Sequence, residues 1–246
     1  MSTFVIGDIH GRLGLLNKLL GSLPMSADDK VVFIGDYVDR GPDSKGVVER
    51  VMTLKEDLGE RCVCLLGNHE DMMLDHLKRT REAWDLAYLA ICGLDSVSRY
   101  GDHHWLVVGG NATRESYDGE VPIEHVAFLA GLPLIYEEEE MICVHAGLNA
   151  RGATPRGQML WGAPGFWSDL DPLTGRPIKG GRRSFGKIVV VGHTCFDQPL
   201  VLPDVIGIDT GAGHGGPLTA LQFPEMRFIQ TDGDSVWTIE PEGLNP

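Results

Sequence analysis

The sequence predicts an α/β fold in which a parallel sheet covered by helices packs against a second sheet. Apolar runs alternate with helical patterns through the first third of the chain, which is typical of parallel strands joined by helices. The last third holds further strand-like runs without helical patterns between them. The chain has 246 residues, no internal repeat and no low-complexity linker. We therefore expect one domain over residues 1–246.

Three strand–helix pairs are predicted in the first third. The strands cover residues 4–6, 30–34 and 63–66. Leu13, Leu16 and Leu20 recur at helical spacing after the first strand. Helices over 44–54 and 70–79 follow the second and third strands. The later strands are predicted over 141–144, 188–191, 205–208, 218–222, 227–230 and 236–239.

Two regions between these strands do not show the alternation of strands and helices. A helical pattern near Trp84 and Ile91 precedes a polar stretch rich in His and Gly. Residues 151–187 are rich in Gly, Pro and Arg and show little periodicity. They are predicted to form a long functional loop region.

Composition and charge limit the classes of partner. The formal net charge is −14, so no positive field draws in a nucleic acid, and no nucleic-acid partner is expected. No run of 18 apolar residues is present, so no membrane partner is expected. The start lacks the pattern of a secretory signal. The five cysteines are an odd count, and Cys62 and Cys64 sit in an apolar run. We read them all as reduced thiols of a cytoplasmic protein.

Five short polar motifs each follow an apolar run directly. They are GDIHG at 7–11, GDYVDRG at 35–41, GNHE at 67–70, VHAG at 144–147 and GHT at 192–194. Sites in α/β sheets form in the loops beyond the carboxyl ends of the strands, so these loops are expected to converge on one rim. One such motif alone reads as a turn or a cap. Five in one chain predict a shared site.

The motifs supply oxygen and imidazole donors and no thiolate. The six donors are Asp8, His10, Asp36, Asn68, His145 and His193. This mixture suits Mn²⁺, Fe or Zn²⁺ better than Ca²⁺ or Cu(I). Six donors are too many for one tetrahedral Zn²⁺ and suit two divalent ions that share a carboxylate, for which Asp36 is the natural bridge. Two metals about 3.5–4 Å apart can hold a hydroxide and clamp a phosphoryl group. We therefore predict two divalent metal ions, with Mn²⁺ preferred over Fe or Zn²⁺.

In this order, the five motifs resemble those of the phosphoprotein phosphatases in the calcineurin-like metallophosphoesterase superfamily, most closely the small bacterial and phage members. The resemblance covers nearly the whole chain, from Asp8 to Gly216. It implies a two-sheet β-sandwich flanked by helices, four layers in all, around a binuclear metal centre. By motif position, it implies that Asp8, His10 and Asp36 hold the first metal. The implied ligands of the second metal are Asp36, Asn68, His145 and His193.

The same resemblance assigns roles to three further residues. His69 resembles the general acid that protonates the leaving alcohol. Asp39 resembles the partner that orients this imidazole and raises its pKa. Arg40 resembles a phosphate clamp, which suits a planar and permanently charged guanidinium. The alternative for Arg40 is a structural salt bridge in a turn.

The motifs also bear on the substrate. The symmetrical bis(5′-nucleosyl)-tetraphosphatases are similar overall. In their motifs, however, the Asp that matches Asp39 is absent, and Asp stands at the position that matches Glu70. The chain is therefore expected to hydrolyse phosphoserine and phosphothreonine esters, with phosphotyrosine as a further candidate, by metal-bridged hydroxide and without a phosphoenzyme. The first alternative is a dinucleoside polyphosphate hydrolase that acts on diadenosine tetraphosphate or related small phosphoesters. The second is a pseudo-enzyme used as a binding module, which is disfavoured because every metal position is filled.

The chain departs from the family pattern after Leu160-Trp161. Small bacterial members carry a second phosphate-binding Arg there, whereas this chain has Gly162, Ala163 and Pro164. We expect Arg183, or failing that Arg182, to replace it. Arg156 and His214 are the remaining candidates, and the alternative for each is a solvated loop or turn residue.

Overall fold

The computed structural model describes residues 1–80, 104–149, 153–163, 166 and 185–240. Its strands are β1 (Thr3–Ile6), β2 (Lys30–Phe33), β3 (Cys62–Cys64), β4 (Ile135–Glu137), β5 (Met141–Val144), β6 (Ile188–Val191), β7 (Leu200–Val201), β8 (Val205–Gly207), β9 (Leu218–Phe223), β10 (Arg227–Thr231) and β11 (Val236–Ile239). Its α-helices are α1 (Leu13–Leu20), α2 (Ser44–Leu58), α3 (Asn68–Thr80), α4 (Asn111–Ser116), α5 (Ile123–Ala130) and α6 (Arg156–Trp161).

Two mixed sheets form the centre of the fold. The first has the order β11-β10-β9-β1-β2-β3, in which β1, β2 and β3 run parallel and β9 pairs antiparallel with β1. The second has the order β4-β5-β6-β8-β7, with β5, β6 and β8 parallel. The predicted architecture of two packed sheets with flanking helices is therefore confirmed.

The central strands are apolar on both faces because both faces are covered. Phe4 and Ile6 of β1 lie in a core with helices α1, α2 and α3, whereas Val5 lies in the core between the two sheets. Cys143 and Val190 fill that same inter-sheet core from the second sheet. Strands buried on both faces read as continuous apolar runs rather than alternating ones, which is why the sequence shows them so clearly.

Helix α2 shows how local sequence sets an element's limits. The Asp43 side chain accepts a hydrogen bond from Gly46 N at 2.8 Å and caps the first turn. Val47, Val48 and Val51 are buried against the first sheet's outer core. The helix ends at Leu58 rather than at the predicted residue 54, and Gly59 follows with a φ of 58°.

Several elements differ from the sequence prediction. Helix α3 begins at Asn68 rather than at residue 70, which places a predicted metal ligand in its first turn. The polar stretch after residue 103 forms a π-helical turn over Leu106–Gly110, followed by α4 and α5. Strands β4 and β7 were not predicted. Helix α6 lies in the segment predicted to be a loop, most of which, like Trp84 and Ile91, lies outside the described residues.

Among the described helices, none combines the length and the apolar character that a membrane crossing requires.

Candidate metal centre

The five polar loops meet at one end of the two sheets. The loops after β1 and β2 are joined by hydrogen bonds from Ile9 N and His10 N to Asp36 O, at 3.0 and 2.8 Å. The loops after β5 and β6 are joined by a bond from Gly192 N to His145 O at 2.8 Å. The two pairs are joined across the sheets, because His193 N donates to Asp8 Oδ2 at 2.9 Å. The structure thus brings all six predicted donors to one rim.

Asp36 lies at the centre of this arrangement. Its Oδ2 lies 3.5 Å from His10 Nε2, and its Oδ1 lies 3.5 Å from His145 Nε2. Among the described residues, two groups of side chains could each hold a metal ion, and both contain Asp36. One consists of His10, Asp36 and His69, and the other of Asp36, His145 and His193. A carboxylate with one oxygen toward each group has the geometry of a bridge between two cations.

Asn68 belongs to the second group by its contacts. Its Oδ1 lies 2.8 Å from His145 Nε2 and 2.9 Å from His193 Nδ1. Three donor atoms from three different loops therefore converge on one point beside Asp36. Oxygen and imidazole donors that converge in this way fit a divalent cation of the Mn²⁺, Fe or Zn²⁺ class.

Backbone carbonyls orient two of the imidazoles. His10 Nδ1 donates to Val38 O and His145 Nδ1 donates to Ile34 O, each at 2.9 Å. A ring nitrogen that faces a carbonyl oxygen must carry the proton. The other nitrogen, Nε2, then keeps its lone pair and points into the cluster, which is how metal-ligating histidines are commonly held.

Asp8 provides a direct test of whether a cation fits. Its Oδ1 is buried and has no hydrogen-bond partner among the described residues. Burial, followed by the nearby carboxylates of Asp209 and Asp36, raises the pKa of Asp8 well above its usual value. A buried carboxylate oxygen without a donor is costly, and a bound cation would satisfy it. Asp8 falls outside the two compact groups, in which His69 stands where the resemblance implied Asp8.

The histidines of the cluster differ in the direction in which their pKa values are shifted. Burial lowers the pKa of His10 to about 3 and that of His193 to about 4, so both rings are neutral at pH 7. Neutral imidazole is the form that binds metals. Burial also opposes protonation of His69, but the carboxylates of Asp36 and Asp39 outweigh it and raise the pKa of this ring.

His69 and Asp39 form a buried pair. His69 Nδ1 lies 2.6 Å from Asp39 Oδ2. Asp39 also accepts a hydrogen bond from Thr113 Oγ1 at 2.6 Å and from Trp105 Nε1 at 2.9 Å. These contacts fix the carboxylate, which in turn fixes the imidazole with its Nε2 toward the cluster.

The Arg40 guanidinium lies over the cluster. Nη1 donates to His10 Nε2 at 2.7 Å and Nη2 donates to His69 Nε2 at 3.0 Å. The fork therefore faces the same atoms that face the predicted metal positions. The structure shows no carboxylate bonded to Arg40 among the described residues, so the alternative of a salt bridge in a turn is not supported there.

Strained backbone is concentrated at this rim. The described part of the chain has seven residues other than glycine with positive φ. Five of them are His10, Asp36, Asp39, Arg40 and His193, with φ between 48° and 75°. Left-handed backbone is costly for such residues and persists at functional sites where the surroundings enforce it. Gly67 and Gly192 contribute space, since a Cβ at either would collide with a carboxylate oxygen of Asp36 or Asp8.

Of the four candidates for a second phosphate clamp, the structure describes two, Arg156 and His214. Arg182 and Arg183 lie outside the described residues. Arg156 Nη2 forms an ion pair with Asp71 Oδ1 at 2.7 Å, on the helix that begins with Asn68. His214 is exposed at the end of a 3₁₀ turn.

Sequence reasoning missed three residues that shape the site. Glu70 accepts hydrogen bonds from the backbone N–H groups of Asp36, Tyr37, Val38 and Gly67, at 2.8 to 3.1 Å. It therefore ties the loop after β2 to the start of α3, and its position in GNHE was the available signal. Trp105 and Thr113, which hold Asp39, come from a polar stretch without a motif.

Comparisons with known proteins agree with this geometry. A family model described as calcineurin-like phosphoesterase matches residues 1–205. An asymmetrical bis(5′-nucleosyl)-tetraphosphatase of Anoxybacillus flavithermus is 27% identical over 96% of this chain and 96% of its own length. A symmetrical bis(5′-nucleosyl)-tetraphosphatase of Bordetella parapertussis is 28% identical over 93% of this chain and 95% of its own.

Solved structures share the fold. One, of a protein with a proposed diadenosine tetraphosphatase activity, has a TM-score of 0.60 at 24% identity and covers 94% of this chain and 92% of that chain. The cold-active protein-tyrosine phosphatase of a Shewanella species has a TM-score of 0.57 at 19% identity, covering 97% and 80%. With the family model matching most of its length and the motif loops meeting as described, the chain belongs to the calcineurin-like phosphoesterase family.

Proposed function

We propose that the protein hydrolyses dinucleoside polyphosphates such as diadenosine tetraphosphate at a centre of two divalent metal ions, with Mn²⁺ as the preferred ion. The observation that carries this proposal is the pair of relatives named as bis(5′-nucleosyl)-tetraphosphatases, which match nearly the full length of both chains. The shared Asp36 between two ligand groups supports a two-metal centre.

This proposal replaces the phosphoprotein substrate that the sequence favoured. That prediction depended on Asp39 and on Glu70. In the structure, Glu70 binds four backbone N–H groups and Asp39 holds His69, so both act inside the protein. Residues that position other residues do not contact the group attached to the phosphate, so they do not report its size. The relatives favour the alternative substrate class instead.

The proposed cation ligands are those that the resemblance implies: Asp8, His10 and Asp36 for one site and Asp36, Asn68, His145 and His193 for the other. The two compact groups support His10 and Asp36 for the first and Asp36, His145 and His193 for the second. Two bound divalent ions supply Lewis-acid stabilisation of the phosphoryl oxygens and activate water at neutral pH. The neutral rings of His10 and His193 suit this role because a protonated ring cannot bind a metal.

The remaining steps belong to side chains of the chain. Arg40 presents two N–H groups toward the cluster, where a planar fork can bind two phosphoryl oxygens and stabilise the charge of the transition state. Once Arg40 binds phosphate, Nε2 of His69 is released from it and can carry a proton to the leaving oxygen. Asp39 holds the opposite nitrogen, Nδ1, and stabilises the charged ring.

A second candidate is the hydrolysis of phosphomonoesters, including those of phosphoproteins. The His69–Asp39 pair at 2.6 Å favours it, because an alkoxide leaving group such as that of serine needs a proton more than a nucleotide phosphate does.

The test compares both substrates on one Mn²⁺-loaded preparation. We expect kcat/KM for diadenosine tetraphosphate to exceed that for a phosphoserine peptide, and chromatography to show either two ADP or AMP with ATP as products. A higher kcat/KM for the phosphopeptide would overturn the proposal in favour of the second candidate. A chelator should abolish either activity.

A further inference from the structure

One aromatic side chain on the rim has no role in the chemistry described so far. Trp161 ends helix α6, and 41% of its surface is exposed. Within the described part of the chain, it is the one aromatic residue among the exposed large hydrophobic side chains. Its exposed surface lies beside the charged centre, where an aromatic ring can contact a bound ligand.

Trp161 lies directly beside the candidate metal ligands. Its ring is 5.8 Å from the ring of His193, centroid to centroid, with an interplanar angle of 82°. The planes of the two rings are therefore nearly perpendicular. His193 Nδ1 in turn lies 2.9 Å from Oδ1 of Asn68, another candidate ligand.

A second exposed segment borders the same rim. His104 is exposed and its ring lies 6.4 Å from that of Trp161. Val107, three residues further on, is 81% exposed. The same segment reaches the phosphate clamp, because Arg40 N donates to Gly109 O at 3.3 Å. The rim therefore runs from Arg40 through Gly109 and His104 to Trp161 and His193.

A phosphate held between the cluster and Arg40 can extend its organic group across this rim. The chain has a net charge of −14, so its overall field repels a polyphosphate and cannot help to retain it. Local contacts must supply the affinity. An aromatic ring stacks on any nucleobase, with a contribution that does not depend on base identity.

We propose that Trp161 is a stacking platform for the base of a nucleoside phosphate whose phosphate is bound at the metal centre, with His104 bordering the same platform. This inference rests on the proposed function and names the part of the substrate that the chain recognises. It makes Trp161 a specificity residue that favours nucleotides over phosphoesters without a base.

The test measures binding rather than turnover. Calorimetry on the Mn²⁺-loaded protein compares adenosine 5′-monophosphate with ribose 5-phosphate, which carries the same phosphate and sugar without the base. The wild-type protein should bind the nucleotide about 5- to 150-fold more tightly, the range that one stacked base supplies. Trp161→Ala should reduce that ratio to near one, and Trp161→Phe should restore much of it.

The control is Trp237→Ala, which removes a partly exposed indole from strand β11 at the edge of the first sheet. It should keep the wild-type ratio. Thermal unfolding checks that each variant folds. A wild-type ratio near one, a ratio that survives in Trp161→Ala, or an equal loss of affinity for both ligands would each overturn the platform. If diadenosine tetraphosphate is not hydrolysed but the ratio behaves as expected, the proposed function fails while the nucleotide platform stands.

Discussion

His69 is held by a carboxylate that is itself held by two other side chains. Asp39 binds His69 Nδ1 and accepts hydrogen bonds from Trp105 and Thr113, and all four side chains are buried. In the proposed role of proton donor, His69 contributes only when the leaving group needs a proton. The chain of contacts therefore predicts how variants should respond to different substrates.

His69→Asn should lower turnover by about 10²–10⁴-fold on a phosphoserine peptide, because the alkoxide leaving group loses its proton donor. The loss should be smaller on p-nitrophenyl phosphate, whose leaving anion is already stable. Steady-state kinetics on both substrates, with metal analysis of the same samples, measures this. An equal loss on both substrates with the metals retained would rule out His69 as the acid.

Trp105→Phe should lower kcat by about 10-fold while leaving the metal content unchanged. Phe fills most of the indole's space but removes the hydrogen bond to the Asp39 carboxylate, which is worth about 1.5–3 kcal/mol for a charged acceptor. The matched control is Trp237→Phe on β11. Similar kcat values for both variants would show that Trp105 does not support Asp39.

The site residues that lie in motifs could be predicted from the sequence, whereas the site residues outside the motifs could not. Asp36, Asn68 and His193 directly follow apolar strands, so their approach to one another could be predicted from the topology alone. Trp105 and Thr113 reach Asp39 from a stretch more than 60 residues away in sequence. No local pattern encodes such a contact.

At the scale of elements, Glu70 joins the loop after β2 to the N-terminus of α3. Its two carboxylate oxygens accept four backbone hydrogen bonds, from Asp36, Tyr37, Val38 and Gly67. Those residues include a candidate metal ligand in left-handed backbone. Glu70 thus stabilises the strained loop that presents Asp36.

Glu70→Gln should lower the free energy of unfolding by about 2–4 kcal/mol, because an amide offers one acceptor oxygen and leaves buried N–H groups without a partner. Urea unfolding of the metal-free protein measures this without the contribution of bound ions. The control is Glu56→Gln on the exposed side of α2. A change as small as that of the control would show that the four hydrogen bonds do not matter for stability.

Prediction was clearest for strands that are buried on both faces, and it missed several short elements that pack on one side only. The strands β1, β2, β5 and β6 appear as apolar runs because both sheet faces are covered. The segment from His104 to Ala130 mixes apolar and polar residues, and the helical turns that it forms were not predicted. Only one side of it packs on the fold: Trp105 is buried while Val107 is exposed. Strand β7 has two residues, which is too short for any period to show.

At the scale of the whole molecule, Glu138 links the two sheets. It follows β4 of the second sheet and forms an ion pair with Lys30 of β2 at 2.7 Å. It also accepts hydrogen bonds from Tyr136 and from Thr3 of β1. Burial opposes its ionisation, but the hydrogen bonds from Lys30 and Tyr136 outweigh burial and lower the pKa of Glu138.

A lowered pKa makes this contribution depend on pH. The stabilisation is complete above the unfolded-state pKa of about 4.3 and is lost as the pH falls through the lower folded-state value. Glu138→Gln should therefore cost about 1 kcal/mol at pH 7, as for a partly screened pair, and less at pH 3. Urea unfolding at both pH values measures it, with exposed Glu139→Gln as the control. A cost that does not change between the two pH values would contradict this account.

The motif loops belong to both sheets, so the candidate metal centre depends on the sandwich as a whole. Asp8, Asp36 and Asn68 come from the first sheet, and His145 and His193 come from the second. Neither sheet alone provides all the ligands of the second proposed site. The sharing of Asp36 between two sites is the central claim, because the two-metal chemistry depends on it.

Metal analysis of the purified, dialysed protein tests that claim most directly. We expect two Mn²⁺ per chain in the wild type and the loss of both in Asp36→Asn, because one carboxylate would serve both ions. Asp57→Asn, an exposed acidic residue of α2, should keep two. One ion per chain in the active wild-type enzyme, or two ions retained in Asp36→Asn, would contradict it.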